Sequence, residues 1–159
     1  ALSLSCDPKL IIADEPTTAL DVVIQDQILK EIKKVQEELG LSLIYISHDI
    51  AVIAEMTDYM AVMYAGRIVE TGKTKDIFKN PMHSYTKMLL DSTPSIIGDK
   101  KKLKSLDGEP PSLMNEYSGC SFAPRCPEPS ENCRSGNSEM GLIEVADGHL
   151  ADKCCVECG

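Results

Sequence analysis

The sequence predicts an α/β fold in which a mostly parallel sheet packs against helices and ends in a β-hairpin edge. Two short apolar runs rich in branched residues, 10–13 and 43–46, are typical of buried parallel strands. A helical periodicity fills the chain between them. Ala65-Gly66 then separates two β-prone runs, as the turn of a hairpin does. Because strands alternate with helices along the chain, the strands of the sheet are expected to be parallel.

The predicted parallel sheet takes three strands from the first part of the chain. The strand at 10–13 is followed by a helix that ends at Gly40, a common stop signal. The apolar residues of this helix recur at three- and four-residue steps: Ile24, Ile28, Ile32, Val35 and Leu39. The strand at 43–46 precedes a helix over 49–56, and the apolar run at 60–64 supplies the third strand.

The rest of the chain changes character after two more short helices, predicted at 74–79 and 85–91. Ser, Gly, Pro and Lys then dominate, and apolar periodicity disappears. We therefore predict three parts: the end of an α/β domain at 1–94, a linker at 95–117 and an irregular cysteine-rich extension at 118–159.

The composition narrows the classes of function. Sixteen basic and 25 acidic residues give a net charge of -9, and the dense basic cluster at 100–104 has no interleaved aromatics, which argues against nucleic acid as a partner. No run of about 18 apolar residues could cross a bilayer, so membrane contact is expected to go through a partner. The first residues lack the features of a signal peptide, and we expect the chain to begin in mid-domain.

The strongest functional pattern lies at the end of the first strand, where Asp14 and Glu15 follow the apolar run. Open α/β sheets bind ligands at the carboxyl ends of their strands. In phosphoryl transfer an Asp at such an end helps to hold Mg²⁺, and a second carboxylate orients or deprotonates the attacking water. His48 follows the second strand, where an imidazole can donate to a γ-phosphate oxygen.

The run from Leu10 to Asp21 resembles the ATPase family of ABC transporters. The resemblance implies that Asp14 is the Walker B aspartate and binds the Mg²⁺ of ATP, and that Glu15 is the catalytic glutamate. It implies that Asp21 belongs to the D-loop at the nucleotide interface, and that His48 is the switch histidine. The fold implied is the C-terminal part of a P-loop ABC ATPase domain.

The phosphate-binding loop of that family is not found in the sequence. Residues 66–74 imitate its G-x-x-x-x-G-K-[ST] pattern with one residue too many, and we interpret them as hairpin and turn. The family's LSGGQ-like signature is also absent and would fall upstream of Ala1. The resemblance therefore implies a C-terminal fragment that starts after the signature motif and is inactive alone.

Residues 77–90 resemble the stretch that marks the oligopeptide and dipeptide importers, where Ser84 replaces the proline of the usual His-Pro-Tyr. The resemblance implies an energy-coupling ATPase subunit at the cytoplasmic face of the membrane. Its partners would be membrane permease subunits, a second ATPase subunit and, indirectly, a periplasmic or lipoprotein peptide-binding protein. Without the family, we interpret His83 as an exposed helix-start residue and Tyr85, Met88 and Leu89 as core contacts.

Six of the seven cysteines follow Gly119. Five and six residues separate the first three, wider than the gaps usual in zinc knuckles, and thiolate-rich loops of this kind suit a larger centre. The tail resembles the extension that carries a [4Fe–4S] cluster in some peptide-importer ATPases. The ligands implied are Cys120, Cys126, Cys133 and Cys154, with Cys155 as the alternative to Cys154 and Cys158 as a spare.

Several alternatives remain open from the sequence alone. The tail cysteines suit zinc, disulfides or free thiols as well as a cluster, and a structural role is expected for any metal centre. Cys6, far from the others, is predicted to be a buried thiol. For the whole protein, the alternatives to peptide import are a nucleic-acid-linked ABC-type ATPase and a stand-alone cysteine-rich metal or redox module.

Overall fold

A computed structural model describes residues 4–92, 108–109, 111–112, 114, 117, 119–135 and 141–156. The chain divides into two compact units, Ala1–Thr57 and Asp58–Gly159. The predicted linker at 95–117 and the spare ligand Cys158 lie largely or wholly outside the described residues. The predicted division into 1–94, 95–117 and 118–159 therefore stays a prediction.

The first unit contains a parallel strand pair and two helices. Its elements are β1 (Leu10–Asp14), α1 (Val22–Leu39), β2 (Ser42–Ile46) and α2 (Ile50–Met56). The two strands are in register from Leu10 opposite Ser42 to Asp14 opposite Ile46, so both end at the same edge. The predicted order of strand, helix, strand and helix is confirmed.

The helices of the first unit begin and end where local chemistry favours it. Asp21 accepts hydrogen bonds from the amides of Val23 and Ile24 and so caps the start of α1. Gly40 ends α1 in the left-handed conformation at φ 61°, where a residue without Cβ is unstrained. The predicted stop at Gly40 is confirmed.

Both helices of this unit pack on one face of the strand pair, around a core of Leu29, Tyr45 and Val52. The strands were expected to be buried on both faces. The other face is exposed instead, with Ile12 at 61% and Ile44 at 47% of full exposure. The reason is that α1 and α2 cover the same side of the pair, and buried parallel strands require cover on both sides.

The second unit is built on a four-stranded antiparallel sheet in the order β3-β4-β6-β5. Its elements are β3 (Tyr59–Tyr64), β4 (Arg67–Lys73), α3 (Thr74–Lys79), α4 (Ser84–Asp91), a 3₁₀ turn (Ala123–Arg125), α5 (Glu131–Ser135), β5 (Leu142–Ala146), β6 (His149–Asp152) and α6 (Lys153–Val156). The two short helices predicted before the linker are confirmed as α3 and α4.

The hairpin predicted at Ala65-Gly66 is confirmed, and it corrects the predicted third parallel strand. Ala65 and Gly66 both have positive φ, 48° and 77°, as a two-residue turn between antiparallel strands requires. The run at 60–64 therefore lies in β3, which pairs antiparallel with β4. Residues 66–74 are the turn residue Gly66, β4 and the first residue of α3, so the imitation of a phosphate-binding loop is hairpin and turn, as predicted.

The cysteine-rich tail, predicted to be irregular, contributes β5 and β6 to this sheet. β6 pairs with β4 through Glu70 opposite Ala151 and Thr71 opposite Leu150. Phe122 is 1% exposed in the core of the unit, with its ring 5.1 Å from that of Tyr64. In the parts of the chain that the structure describes, no helix has the length and apolar character needed to span a bilayer.

Candidate functional site

The first candidate site is the strand edge where β1 and β2 end. The Glu15 amide donates to the carbonyl of Ile46 at 2.9 Å, which continues the strand pairing by one residue. Glu15 has a positive φ of 45°, so the chain turns sharply at this residue. Its carboxylate accepts from the backbone amide of His48 at 3.0 Å and from the hydroxyl of Thr18 at 3.2 Å.

The imidazole of His48 lies directly against the Glu15 carboxylate, with Nδ1 2.9 Å from Oε1 and 3.0 Å from Oε2. Because a carboxylate only accepts, we assign the Nδ1 proton to this contact, which leaves Nε2 for another partner. The hydrogen bond lowers the pKa of Glu15 and raises the pKa of His48. The side chain of His48 is 82% exposed, so its outer nitrogen is open to a ligand.

A cleft of about 320 Å³ opens beside this pair. Its lining residues come from the two strand ends and from the start of α1: Glu15, Thr17, Thr18, Ala19, Leu20, Gln25, Ser47, His48 and Asp49. The cleft therefore combines an ionised carboxylate, an imidazole and hydroxyl groups, which suits a ligand that carries exchangeable protons or phosphate.

The structure brings Glu15 and His48 together, whereas Asp14 and Asp21 do not line this cleft. Asp14 is the last residue of β1 and is exposed. Asp21 uses one carboxylate oxygen, Oδ1, to cap α1, at 3.0 Å from both amides. The roles predicted for these four residues stay predictions.

The second candidate site is a group of thiols around His83 in the second unit. One ring nitrogen of His83 and the sulfurs of Cys154 and Cys155 lie within 4.8 Å of one another. The sulfurs of Cys154 and Cys155 are 3.9 Å apart. Hydrogen bonds from the Cys154 thiol lower the pKa of Cys120 and the pKa of Cys155. The same hydrogen bonds raise the pKa of Cys154.

The predicted ligands are held by short elements of the tail. The Cys120 amide donates to the carbonyl of Cys133 at 3.1 Å, and the 3₁₀ turn carries the chain from there to Cys126. Ser130 begins α5 by accepting the amide of Cys133 at 3.2 Å. Cys120, Cys133 and Cys154 are buried in one apolar core, against which Cys126 and Cys155 pack.

A cleft of about 610 Å³ is lined by three of these cysteines, Cys120, Cys126 and Cys133. Three of the predicted ligands therefore line one cleft. Cys154 is buried in the same core as Cys120 and Cys133. Cys120, Cys126, Cys154 and Cys155 are free thiols. A donor set of four or five sulfurs around a cleft fits a thiolate-ligated metal centre, as either an iron–sulfur cluster or zinc.

Two predictions about single residues are wrong. His83 was expected to be exposed, yet its side chain is fully buried, because its ring packs 5.9 Å from Phe122 in the aromatic core. Cys6 was expected to be a buried thiol, yet it is exposed, because it lies in a turn before β1 rather than in the apolar run.

Sequence reasoning also missed Glu70, a fully buried carboxylate in the middle of β4. It accepts from the amides of Met82 at 2.8 Å and His83 at 3.0 Å. Its Oε1 is 2.7 Å from Nε2 of His149, which is also buried. The available signal was a lone acid inside a β-prone run, and it does not reveal a partner 79 positions away.

Comparisons with known proteins find a family model and relatives that match this chain. Residues 69–133 match the family model described as oligopeptide/dipeptide transporter, C-terminal region. The dipeptide transport ATP-binding protein DppD of Haemophilus influenzae is 49% identical over 143 residues, which are 90% of this chain and 43% of that protein. DppD of Bacillus subtilis is 50% identical over 127 residues, 80% of this chain and 38% of that protein.

A putative peptide import ATP-binding protein of Brucella ovis is 48% identical over 155 residues, 93% of this chain and 46% of that protein. The solved structure of cbiO1 from Clostridium perfringens, described as part of the ABC transporter complex cbiONQ, covers 46% of this chain and 30% of its own at 36% identity, with a TM-score of 0.43.

The relatives named for dipeptide transport and peptide import form a class of ATP-binding proteins, and the chain is similar to them over 80–93% of its length. Within that class, the resemblance to the ATP-binding subunits of peptide importers is confirmed. The chain spans less than half the length of the curated relatives described above.

Proposed function

We propose that this chain forms part of the ATP-binding subunit of an ABC importer for oligopeptides or dipeptides, in which ATP hydrolysis drives a conformational change of the permease. The observation that carries the proposal is the hydrogen-bonded pair of Glu15 and His48 at the shared end of β1 and β2. The relatives named for dipeptide transport and peptide import support the choice of substrate class.

Each residue of the strand edge has a separate task in this proposal. Glu15, kept ionised by His48 and a backbone amide, accepts a proton from the attacking water. The hydrogen bond with Glu15 raises the pKa of His48 and favours its imidazolium form, in which Nδ1–H donates to Glu15 and Nε2–H donates to the γ-phosphate. Asp14 would help to hold Mg²⁺, whose positive charge would neutralise the negative charge on the phosphates. ATP supplies the phosphoryl group that is transferred.

The partners follow from the same proposal. The subunit would dock on membrane permease subunits at the cytoplasmic face of the membrane and pair with a second ATP-binding subunit. A peptide-binding protein outside the membrane would act on it only through the permease. The excess of acidic residues, 25 against 16 basic ones, supports protein partners rather than nucleic acid.

Glu15→Gln in the assembled transporter tests this proposal. The amide still accepts from the backbone of His48 but no longer takes a proton, so ATP turnover should fall about 10²–10⁴-fold while ATP-bound dimers accumulate. Glu37→Gln, on the exposed surface of α1, is the matched control and should hydrolyse ATP normally. Unchanged turnover in Glu15→Gln would remove Glu15 as the general base.

We also propose that the tail holds a thiolate-ligated centre, with a [4Fe–4S] cluster preferred to zinc. The ligands would be Cys120, Cys126, Cys133 and Cys154, with Cys155 as the alternative to Cys154. The support is the cleft that the first three line and the core that they share with Cys154. The centre would chiefly stabilise the tail, whose own apolar core is small.

Anaerobic iron and labile-sulfide analysis of the purified protein tests the identity of this centre. About four iron and four sulfide per chain, with an absorption band that bleaches on reduction, are expected for a [4Fe–4S] cluster. One tightly bound zinc per chain, without iron, would show that the centre is a zinc site and not a cluster. Intact disulfides in protein kept under anaerobic, non-reducing conditions would overturn the centre altogether.

A further inference from the structure

We propose that His83 is a hydrogen-bond donor to the tail thiolates and not one of the ligands of the centre that they form. This inference rests on the thiolate centre proposed above and holds for iron or zinc. Proximity alone suggests the opposite, because a His nitrogen close to two cysteine sulfurs, here those of buried Cys154 and half-buried Cys155, is a common zinc arrangement.

The start of α4 fixes which nitrogen of His83 carries the proton. Nδ1 accepts the backbone amide of Tyr85 at 3.0 Å and thereby caps the helix. A nitrogen that accepts an N–H presents its lone pair, so in the neutral ring the proton lies on Nε2. A metal bound at Nε2 would require the proton on Nδ1, directly against the Tyr85 amide.

The second nitrogen is then the one that faces the sulfurs. Nε2 is buried and has no partner at hydrogen-bond distance among the residues that the structure describes. Since Nδ1 is occupied by Tyr85, we infer that Nε2 is the ring atom within 4.8 Å of Cys154 and Cys155. A buried N–H without a partner is costly, and a thiolate supplies the missing acceptor.

The backbone of His83 is fixed independently of its ring. Its amide and that of Met82 both donate to the Glu70 carboxylate, which is fully buried and also bound to His149. The ring therefore cannot swing to a new position without breaking either this clamp or the cap of α4. Such a fixed donor near a thiolate centre lowers the electron density on sulfur and favours the reduced state of a cluster.

Cadmium-113 is a suitable probe, because it binds thiolate sites whatever metal they hold in the cell. The full chain, labelled with ¹⁵N, reduced and freed of metal, is loaded with ¹¹³Cd²⁺ in a Cys6→Ser background that removes an exposed thiol. We expect the cadmium signal to correlate with cysteine β-protons alone, and His83 Nε2 to keep its proton.

Two variants separate a donor from a ligand by affinity. His83→Leu removes the N–H and should weaken cadmium binding about 10- to 100-fold, the usual effect of losing a partner that supports a ligand. His83→Gln keeps an N–H in a similar place and should restore most of that affinity. In protein that carries the cluster, the reduction potential should shift to more negative values in His83→Leu with the iron content unchanged.

Three results would decide against the proposal. Splitting of the cadmium signal by the ¹⁵N of His83 would make it a ligand and leave the thiolate centre standing. Equal affinities in wild type and His83→Leu would show that the N–H does nothing for the sulfurs. Failure of the folded wild-type chain to bind cadmium would overturn the thiolate centre itself, and this inference with it.

Discussion

The two units each contain a carboxylate bound to an imidazole, and the surroundings of the two pairs are opposite. Glu15 and His48 are 2.9 Å apart, and their side chains are 35% and 82% exposed. Glu70 and His149 are 2.7 Å apart, and their side chains are 0% and 4% exposed. The same two functional groups therefore lie at an exposed strand edge in one unit and connect buried parts of the chain in the other.

The two pairs differ in the free energy that is lost when the hydrogen bond between carboxylate and imidazole breaks. In the exposed pair, water replaces a lost hydrogen bond, so separating His48 from Glu15 costs little free energy. In the buried pair, Glu70 also accepts two backbone amides, and breaking any contact leaves a polar group without water. Exposure suits a reactive pair, whereas burial suits a fixed one.

Glu70→Leu tests the buried side of this comparison and should have the largest effect. The substitution leaves the His149 N–H and the amides of Met82 and His83 without their acceptor, so the stability of the second unit should fall by about 3–5 kcal/mol. Denaturant-dependent hydrogen exchange of the β4 amides measures the loss. Glu15→Leu in the other unit is the comparison variant, and an equal loss there would contradict the distinction between the pairs.

Asp21→Ala is expected to have a smaller effect, because it removes the cap of α1 and no buried contact. A loss of about 0.5–2 kcal/mol is expected for the first unit, measured by the same exchange experiment on α1 amides. Asp21→Asn retains an oxygen acceptor and should lose less. If Asp21→Asn keeps the helix but stops ATP-driven transport, Asp21 acts at the nucleotide interface in addition to capping α1.

The pH dependence of the exposed pair gives a subtler test. The lowered pKa of Glu15 contributes stability above the ordinary value of 4.5, and this is lost as the pH falls through the lowered pKa. The raised pKa of His48 contributes stability below the ordinary value of 6.5, and this is lost as the pH rises through the raised pKa. The pair is therefore most stabilising between about pH 4.5 and 6.5.

An NMR titration of the His48 ring measures this coupling directly. In Glu15→Gln the pKa of His48 should fall back towards 6.5, because the hydrogen bond with the carboxylate is the largest cause of its rise. Glu37→Gln, on the exposed surface of α1, should leave the titration of His48 unchanged. A His48 pKa that does not move in Glu15→Gln would show that the two side chains do not interact in solution.

Cys6→Ser should have the smallest effect of all. The residue is exposed in a turn, so the change in unfolding free energy should stay within about 0.5 kcal/mol. Thiol labelling of the folded wild-type chain should modify Cys6 before the buried Cys120, Cys133 and Cys154. Protection of Cys6 equal to theirs would contradict its exposed position.

The sequence predicted what depends on near neighbours. Apolar runs and periodicity located β1, α1 and β2, and Glu15 and His48 were placed directly after the two strands, whose shared end brings the two side chains together in the structure. Asp21 shows the limit of a motif, since it was assigned to an interface and also caps a helix.

What the sequence did not predict depends on distant pairing. The partner of Glu70 is His149, 79 positions away along the chain. Neither residue belongs to a periodic pattern from which the contact could be predicted. His83 follows Pro81 and precedes polar Ser84, a local setting typical of exposure. It is buried because Phe122 and the tail cover it, and the pairing of the tail with β4 has no local signal.

The joining of β4 to β6 has a consequence for how the protein is made. The strand that completes the edge of β4 is synthesised long after it, since Glu70 and His149 are 79 positions apart. At ribosomal speeds of about 5–20 residues per second, the edge of β4 waits roughly 4 to 16 seconds for β6. During that time the nascent chain exposes an unpaired strand edge, which is where chaperone binding or aggregation would begin.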